Sequence, residues 1–438
     1  MRLAVIGLGK LGLCTAACFA SKGHDVRGYD VNVGLGAALA RGECPIDEAG
    51  LTALLKSCGS HFAVSPSVAA AVADAEMVLV IVPTPSQSNG TFDNSYIERA
   101  LAEIGDALRS TGDFTVVCVV STVMPGSTEH QFQPLLEKRS GKVCGKDFGL
   151  VYNPEFIALG SVIRDFLNPE MVLIGASDER SSAQVRELYQ TTVDSKPYFA
   201  VMSPTNAEIA KLSLNCYVTM KISFANELSS LCERVPGADV DTITQALGAD
   251  SRIGSKYLKG GMGFGGPCFP RDNAAFAAFA SHFGGQARLG PQVVAVNHHV
   301  VERVVDTVKA NVKTGEKVLL LGMSYKPGTA VSEESQGVQV AQGLVRAGFR
   351  VAVHDPKATA NARAALGEKV GYAADVKSGA KEAAAIVVLT LWPEYEALDF
   401  GDLARVASPN ALLLDCWRQW KTRMPAGWRY RGLGLGTV

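Results

Sequence analysis

Short apolar runs alternate with longer amphipathic stretches through the first two hundred residues. The apolar runs predict strands at 2–6, 25–30, 61–64, 77–82, 115–121, 148–152 and 171–175. The stretches between them predict helices. Alternation of this kind is typical of a mostly parallel sheet with helices on both faces. We therefore expect a doubly wound domain over residues 1–202.

One long helical pattern follows, over residues 203–234, and Pro236-Gly237 ends it. Shorter helices, a glycine-rich loop, a helix over 271–282 and another near 291–312 come next. These segments predict a central helical domain over 203–312. A helix of this length that joins two lobes often forms a subunit interface, so we expect a homodimer through it.

The alternation of strands and helices resumes after residue 313. Strands are predicted at 318–321, 350–354, 386–391 and 411–415, with a helix near 334–347, and residues 428–438 are expected to form a loose tail. This predicts a second doubly wound domain over 313–438. The predicted fold class is α/β, with two doubly wound (Rossmann-like) domains joined by a long central helix.

Composition and charge narrow the possible functions. The 438 residues carry a net charge of −1, which gives no basic surface for nucleic acid or an anionic membrane. The apolar runs are too short to span a bilayer. The ten cysteines form no paired C-x-x-C pattern, as expected in the reducing cytoplasm, and the seven histidines show no metal-ligand spacing.

A glycine-rich turn follows the first predicted strand. Gly7, Gly9 and Gly12 have the G-x-G-x-x-G spacing, Leu11 lies within the turn, and Asp30 ends the second strand. The turn lets a pyrophosphate approach the N-terminus of the next helix, and the acid can bind ribose hydroxyls. Asp30 would repel a 2′-phosphate, so the pattern favours NAD over NADP.

Three polar residues follow other strands of the first domain. Thr84 and Thr122 come after the strands at 77–82 and 115–121, and Glu155 comes after the strand at 148–152. Ligands of such folds bind at the carboxyl ends of strands, so the hydroxyls can contact cofactor or hold water and Glu155 can be a general base. The alternatives are ordinary turn residues and a helix-start glutamate.

Cys268 ends a loop that contains five glycines, within the sequence KGGMGFGGPCFPRD at 259–272. A helix is predicted directly after it, and a thiol at a helix N-terminus is more easily ionised to a nucleophilic thiolate. Asp272 follows four residues later, on the same helix face. The alternative is a flexible loop with a buried, inert cysteine.

Two further candidates are cationic. Lys211 lies four residues before Asn215 among apolar neighbours on the long helix, where a lysine needs a partner or a charged ligand. Arg252 could bind a phosphate or sugar. The alternative for both is a solvated surface charge. The turn at 322–329 could hold a nucleotide's base and phosphate, but it lacks G-x-G-x-x-G, so a second NAD site is not implied.

Taken together, these segments resemble the UDP-glucose/GDP-mannose dehydrogenase family over nearly the whole chain. The pattern around Cys268 is most similar to that of the UDP-glucose dehydrogenases. The motifs that carry the resemblance are GLGKLG with Asp30, VPTP (82–85), STVMPG (121–126), NPEF (153–156), NAEIAKLSLN (206–215), NE (226–227), DSRIG (250–254), GFGGPCFPRD (263–272) and GMSYKPGT (322–329).

The resemblance implies an enzyme of polysaccharide biosynthesis that oxidises the primary alcohol of a nucleotide sugar to a carboxylate. UDP-glucose is the expected substrate, and two NAD are reduced in succession. Cys268 would attack the intermediate aldehyde to give a thiohemiacetal, and oxidation of this adduct would give a thioester that water cleaves.

The resemblance also implies a role for each candidate residue. Lys211 and Asn215 would stabilise the oxyanion, Asp272 with Thr122 would hold the water, and Glu155 would be the base for thioester hydrolysis. The implied cofactor contacts are Gly7, Gly9, Leu11, Gly12, Asp30, Thr84, Thr122 and Arg271. The implied substrate contacts are Glu155, Phe156, Lys211, Asn215, Arg252 from the neighbouring subunit, Tyr257, Leu258, Lys259, Gly260, Gly261, Gly265 and Lys326.

Three positions depart from the family's usual pattern. Leu159 stands where a second glutamate is usual, Glu333 replaces an arginine associated with phosphate binding, and the usual D-x-R reads Asp415-Cys416-Trp417-Arg418. Three alternatives therefore stay open. They are oxidation of another nucleotide sugar (a UDP-N-acetylhexosamine, GDP-mannose or a dTDP-hexose), a nucleotide-sugar-binding protein without turnover, and a hydroxyacid dehydrogenase.

Overall fold

The computed structural model describes residues 1–423 and 426–436, and the chain divides into two units. The N-terminal unit covers Met1–Ser213 and the C-terminal unit starts at Leu214. Each unit is built around its own sheet.

The sheet of the N-terminal unit has eight strands in the order β3-β2-β1-β4-β5-β6-β7-β8. Neighbouring strands are parallel except β6 and β7, which pair antiparallel. The strands are β1 (Arg2–Ile6), β2 (Asp25–Tyr29), β3 (Phe62–Val64), β4 (Met77–Val80), β5 (Thr115–Val119), β6 (Phe148–Tyr152), β7 (Met171–Ala176) and β8 (Tyr198–Met202).

Helices cover both faces of this sheet, which confirms the predicted doubly wound arrangement. Side chains alternate along β1, so that Leu3 and Val5 join one apolar core and Ala4 and Ile6 join another. The helices are α1 (Lys10–Ser21), α2 (Val33–Ala40), α3 (Leu51–Cys58), α4 (Val68–Val72), α5 (Ser95–Leu108), α6 (Gln133–Ser140), α7 (Val162–Leu167) and α8 (Glu179–Thr192).

The predicted long helix is confirmed as α9 (Pro204–Cys232), which has 29 residues. It begins in the N-terminal unit and ends in the C-terminal unit. Three more helices follow before the second sheet: α10 (Val240–Ala249), α11 (Phe269–His282) and α12 (Leu289–Asn311).

The sheet of the C-terminal unit is parallel throughout, in the order β11-β10-β9-β12-β13-β14. Its strands are β9 (Lys317–Leu321), β10 (Arg350–His354), β11 (Gly371–Tyr372), β12 (Ala383–Val388), β13 (Leu412–Asp415) and β14 (Arg429–Gly432). Its helices are α13 (Gln336–Arg346), α14 (Thr359–Leu366), α15 (Val376–Ala380), α16 (Pro393–Glu396) and α17 (Phe400–Ala404).

Two predictions for this unit were wrong. The strand predicted at 386–391 lies at Ala383–Val388, because buried alanines with low strand preference begin it. The predicted loose tail at 428–438 contains β14, which pairs with β13, and Leu433 is buried. Residues 437 and 438 lie outside the described residues.

Candidate active site

The glycine-rich turn between β1 and α1 brings two backbone segments into contact. Gly7 has a φ of +97°, and a Cβ on Gly12 would lie 1.9 Å from the Gly7 carbonyl oxygen. Gly9 precedes α1 and provides no side-chain cap. The first backbone N–H groups of α1 are therefore available to an anion, as the pattern predicted.

Asp30 is tied to this turn. Its carboxylate accepts a hydrogen bond from the Leu8 N–H at 2.7 Å and another from the Asn32 N–H at 2.8 Å. The residue is only partly buried. The acid is thus held at the end of β2, beside the glycine turn, with its surface still open to a ligand.

The corresponding acid of the second sheet has a different role. Asp355 follows β10 and is buried, and its carboxylate accepts from the backbone N–H groups of Met323 and Ser324 at 2.7 and 2.9 Å. The Lys357 N–H and the Trp392 indole N–H also donate to it. Asp355 therefore fixes the turn after β9.

The loops after β4 and β5 are joined by hydroxyl groups. Thr84 is buried and donates to the Thr122 carbonyl oxygen at 2.8 Å. The Ser121 hydroxyl donates to the Val82 carbonyl oxygen at 2.6 Å and accepts from the Val82 N–H at 3.0 Å. Thr84 and Thr122 therefore lie together at the carboxyl edge of the sheet, where the sequence placed them.

Glu155 and Lys211 also lie together. The Lys211 ammonium donates to the Glu155 backbone carbonyl at 2.5 Å and lies 4.3 Å from the centre of the Phe156 ring. Lys211 is buried, with 7% of its surface exposed, so it is not a solvated surface lysine. The Tyr189 hydroxyl lies 2.6 Å from Glu155 Oε1.

The surroundings of the Glu155 carboxyl favour its neutral form. Burial raises its pKa to about 7, while the hydrogen bond from Tyr189 and the charge of Lys211 act in the opposite direction. A carboxyl with a pKa near neutrality can accept a proton and release it again at physiological pH.

Asn215 and Asp272 form a buried pair in the C-terminal unit. The Asn215 amide nitrogen lies 2.6 Å from Asp272 Oδ2, and Arg271 Nε lies 3.5 Å from Asp272 Oδ1. The Asp272 N–H donates to the Cys268 carbonyl oxygen at 2.8 Å in the first turn of α11. The predicted one-turn spacing of Cys268 and Asp272 is therefore confirmed.

Cys268 differs from the other nine cysteines, because it is exposed while they are buried or partly buried. It lies immediately before α11. Burial and the charge of Asp272 raise the pKa of the nearby Cys216 to about 12, so that thiol stays protonated at neutral pH. An accessible thiol at a helix N-terminus is the environment expected of a nucleophile.

The cysteine loop (residues 259–268) is held by hydrogen bonds from its backbone to buried side chains. It is therefore not the flexible loop of the alternative interpretation. A Cβ on Gly261 would lie 2.7 Å from the Trp417 ring, so the loop and the indole pack closely. The backbone N–H groups of Gly261, Gly263 and Phe264 donate to the side-chain oxygens of Asn226 at 2.8 Å, Gln336 at 2.5 Å and Asn297 at 2.8 Å. Arg418 Nη2 donates to the Gly260 carbonyl at 2.6 Å.

A cleft of about 210 Å³ lies beside this loop in the C-terminal unit. Three predicted substrate residues, Lys259, Gly265 and Lys326, line it. The Trp417 ring also lines it, 6.0 Å from the Lys259 ammonium. The Ser324 hydroxyl lines it too, is buried, and has no hydrogen-bond partner among the described residues. Two cations, an aromatic ring and an unpaired hydroxyl suit an anionic aromatic ligand.

Other predicted substrate residues lie outside this cleft. Arg252 is exposed and forms a two-pronged ion pair with Asp250, at 2.6 Å for the closest pair of atoms. Tyr257 is exposed and has a φ of 63°, whereas Leu258 is buried. Within this single chain, these three residues do not join the cleft.

The three departures from the family pattern have distinct surroundings. Leu159 packs against the apolar core of the N-terminal unit. Glu333 is exposed, and its backbone carbonyl accepts from Gly266. Trp417 lines the cleft, whereas Arg418 is buried and bound to Asp241.

Sequence reasoning missed Tyr189, Trp417 and Ser324 as contributors to the sites. Tyr189 belongs to an amphipathic helix and gave only the signal of a core residue. Trp417 is a departure from the family's usual D-x-R, and Ser324 lies within the motif GMSYKPGT (322–329). Their placement depends on three-dimensional packing.

No three His, Cys, Asp or Glu side chains in residues 1–423 and 426–436 group closely enough to hold a metal ion. No helix in the same part of the chain is both long and apolar enough to cross a bilayer.

Comparison with known proteins gives one consistent family. Models of the UDP-glucose/GDP-mannose dehydrogenase family match the NAD binding domain at residues 1–193, the central domain at 205–299 and the UDP binding domain at 319–422. The first match confirms the prediction of NAD.

Individual relatives agree over nearly full length. The chain is 34% identical to a UDP-glucose 6-dehydrogenase of Haloferax volcanii, over 91% of this chain and 93% of that protein. It is 34% identical to a UDP-glucose 6-dehydrogenase of Rhizobium meliloti over 99% of each. The structure of a UDP-glucose dehydrogenase from Pyrobaculum islandicum matches with a TM-score of 0.89 at 34% identity, covering 99% of this chain and 98% of that one. This chain therefore belongs to the UDP-glucose/GDP-mannose dehydrogenase family and is an NAD-dependent oxidoreductase.

Proposed function

We propose that the enzyme oxidises UDP-glucose to UDP-glucuronate, with two NAD consumed per sugar and Cys268 as the covalent nucleophile. The observation that carries this proposal is the exposed thiol at the N-terminus of α11, one turn before the buried pair of Asp272 and Asn215. A dehydrogenase that stopped at an aldehyde or ketone would not need such a nucleophile.

The residues of the glycine turn fit a bound dinucleotide. Gly7, Gly9, Leu11 and Gly12 would hold the pyrophosphate at the uncapped end of α1, and Asp30 would bind the ribose hydroxyls. Thr84, Thr122 and Arg271 would complete the cofactor contacts. When bound, NAD supplies a hydride acceptor for each of the two oxidations.

The first oxidation converts the primary alcohol to an aldehyde, with loss of a hydride and a proton. The Cys268 thiolate then forms a C–S bond to the carbonyl carbon, and the carbonyl oxygen takes the negative charge. Lys211 and Asn215 would stabilise this oxyanion, one by charge and the other by an N–H donor. Loss of a second hydride from the same carbon leaves a thioester on Cys268.

Hydrolysis releases the product. A water held by Asp272 and Thr122 attacks the thioester carbon, the C–S bond breaks, and the thiolate leaves with its electron pair. Glu155 would accept the proton of that water, for which a pKa of about 7 is well matched. The carboxylate product and the free thiolate then complete one turnover.

We assign the NAD-binding, central and nucleotide-sugar-binding roles to residues 1–202, 203–312 and 313–438. Lys259, Gly265 and Lys326 would bind the nucleotide part of the substrate in the C-terminal cleft. The remaining proposed substrate contacts are Glu155, Phe156, Lys211, Asn215, Arg252 from a second copy, Tyr257, Leu258, Gly260 and Gly261.

We also propose that the chain forms a homodimer through α9 and works in the cytoplasm. Tyr217, Phe224 and Leu231 recur every seven residues on one side of α9, with 57%, 50% and 55% of their surfaces exposed. A large apolar stripe of this kind is rare on the surface of a monomer. The same stripe on a second copy is complementary to it across a two-fold axis.

The direct test is to count NADH formed per sugar. UDP-glucose, UDP-N-acetylhexosamines, GDP-mannose and dTDP-glucose would be supplied with excess NAD, and products identified by mass spectrometry. We expect two NADH per UDP-glucose and a higher kcat/KM than for the other sugars. A ratio of one would contradict the thioester route, and preference for another sugar would correct the substrate.

The variant Cys268→Ala tests the nucleophile. We expect it to lose net acid formation by at least about a thousandfold, since covalent catalysis is lost, and to keep NAD affinity. Cys144→Ala is the matched control, because burial raises the pKa of that thiol to about 11 and it cannot act as a thiolate. Acid formation by Cys268→Ala at the wild-type rate would refute the mechanism.

A further inference from the structure

The Tyr189 hydroxyl lies between two oxygen atoms that compete for its single proton. It is 2.6 Å from Glu155 Oε1 and 2.9 Å from Asn153 Oδ1. Tyr189 and Asn153 are both almost fully buried, with 2% and 1% of their surfaces exposed. Water therefore cannot easily replace either contact.

Asn153 is oriented by the sheet. Its amide nitrogen donates to the Leu173 carbonyl oxygen in β7 at 2.9 Å, and its backbone N–H donates to the Val119 carbonyl oxygen in β5 at 2.9 Å. These contacts direct the side-chain oxygen of Asn153, and not its amide nitrogen, toward Tyr189.

This arrangement can satisfy both protonation states of Glu155. When Glu155 is ionised, the Tyr189 hydroxyl donates a hydrogen bond to Glu155 Oε1. When Glu155 is protonated, the carboxyl group can donate to the Tyr189 oxygen, and the hydroxyl can turn its own proton to Asn153 Oδ1. Neither state leaves a buried polar hydrogen unpaired, and an unpaired one would be destabilising.

We propose that Tyr189, together with Asn153, is a positioning residue that supports the Glu155 carboxyl in both its ionised and its protonated form, and so makes it a reversible proton acceptor. This inference rests on the proposed role of Glu155 in thioester hydrolysis. Tyr189 contacts Glu155, and Asn153 contacts Tyr189, so both would act on the reaction through Glu155.

The titratable groups near the Glu155 carboxyl come from four elements. Lys211 of α9 contributes a positive charge that lowers the pKa of Glu155. Cys18 of α1 and Cys118 of β5 are buried thiols whose pKa values burial raises well above the ordinary value, so both are neutral at physiological pH. Tyr189 of α8 is itself buried, and its pKa is raised too.

Tyr189 and Asn153 are expected to have opposite effects on the pKa of Glu155. The hydrogen bond from Tyr189 favours the ionised carboxylate, so Tyr189→Phe should raise the pKa of Glu155. Asn153 accepts the hydroxyl proton only when Glu155 is protonated, so Asn153→Ala should lower that pKa. The acid limb of the activity profile should move to higher pH in the first variant and to lower pH in the second.

The experiment measures the single-turnover rate of acid formation across pH, with saturating NAD and nucleotide sugar. We expect Tyr189→Phe to shift the acid limb to higher pH by about one unit. At a pH below the limb the rate should fall roughly tenfold, and at a pH above the limb it should return almost to the wild-type rate. Difference infrared titration of the Glu155 carboxyl, assigned with Glu155→Gln, should show the same shift in the absence of turnover.

Tyr395→Phe is the matched control, because Tyr395 is also buried and hydrogen-bonded but belongs to the C-terminal unit, where its hydroxyl donates to the His354 carbonyl. It should leave the limb in place. Tyr189→Phe keeps the ring that packs on Phe19 and Phe166, so the variant should fold.

Two results separate the inference from the function it rests on. An equal loss of rate at every pH in Tyr189→Phe, with an unmoved infrared titration, would reduce Tyr189 to a structural residue and overturn the inference alone. An acid limb that persists in Glu155→Gln would instead remove Glu155 as the base, and with it the proposed hydrolysis step.

Discussion

Glu155 and Asp272 carry the same functional group in surroundings that suit them to different tasks. Asp272 accepts a hydrogen bond from the Asn215 amide and faces the Arg271 guanidinium, and both of these hold its carboxyl group in place. The Lys211 ammonium instead donates to the backbone carbonyl of Glu155, so its charge stabilises the carboxylate less directly. One acid is thus suited to hold a water and the other to move a proton.

At the residue scale, the contact between Gly261 and Trp417 gives a prediction about substrate binding. A Cβ on Gly261 would lie 2.7 Å from Trp417 Cε3, and the indole is fixed by a 2.8 Å hydrogen bond to the Leu389 carbonyl. We expect Gly261→Ala to cost about 1–3 kcal/mol in local packing and backbone strain, since Gly261 has a φ of +156°. This cost corresponds to a roughly five- to 150-fold loss of kcat/KM for the nucleotide sugar.

A double-mutant cycle with Trp417→Leu isolates the cause, since a smaller side chain relieves the overlap. In that background Gly261→Ala should cost less than in the wild-type background, and the cost that remains is the strain of an alanine at a φ of +156°. The KM for NAD should stay constant in all three variants. Equal costs in both backgrounds would show that the indole does not constrain the loop.

Sequence reasoning succeeded for residues whose neighbours in the chain define their surroundings. Lys211 was singled out because its neighbours along the helix are apolar, and it is buried. The link between Tyr189 and Glu155 spans 34 positions in the sequence and joins a helix to a strand end. No local pattern encodes such a contact, because it depends on how α8 packs on the sheet.

At the element scale, the exposed stripe on α9 gives a prediction about assembly. A lysine in place of Phe224 would be costly to bury against a second copy, since its charge would lose hydration in an apolar contact. We expect Phe224→Lys to be a monomer of 46.2 kDa by sedimentation equilibrium, while the wild-type protein has twice that mass.

Tyr198→Lys is the control for this change, because Tyr198 is 72% exposed but belongs to β8 and not to α9. It should keep the dimer mass. A dimer of Phe224→Lys with undiminished affinity would place the subunit interface elsewhere on the chain. A monomer should also bind nucleotide sugar more weakly, if Arg252 acts on the partner's substrate as proposed.

Elements were predictable where burial is uniform. The central strands β1, β4, β5 and β6 are buried along almost their whole length, so each appears as a continuous apolar run. The last strands along the chain in each sheet, β8 and β14, consist mostly of exposed or half-buried residues and were missed. The stripe on α9 is visible as a seven-residue spacing, but only the structure shows that it faces outward.

At the scale of the whole molecule, Arg418 joins distant segments of the C-terminal unit. Its buried guanidinium pairs with Asp241 at 2.7 Å and donates to the carbonyls of Gly260 and Leu433, both at 2.6 Å. One side chain thus connects α10, the cysteine loop and the segment after β14. The sequence showed this arginine only as displaced by one position. Asp241 and Gly260 lie more than a hundred residues before it, and Leu433 lies in a later segment, so no local pattern indicates these contacts.

Removal of this guanidinium should loosen the C-terminal unit alone. Arg418→Met would leave Lys421 beside Asp241 at 3.1 Å, but it would remove the buried donors to the Gly260 and Leu433 carbonyls, at a cost of about 1–3 kcal/mol for each group left unpaired. Because the chain consists of two units with separate cores, that loss should appear as faster hydrogen exchange in residues 238–266 and 411–423, with the sheet of the N-terminal unit unchanged. Arg405→Met, which breaks an exposed pair with Asp402, should leave the exchange rates of these segments unchanged. Uniform loss of protection in both units would show that they unfold as one cooperative body, and unchanged protection at 238–266 would show that the cysteine loop is held without Arg418.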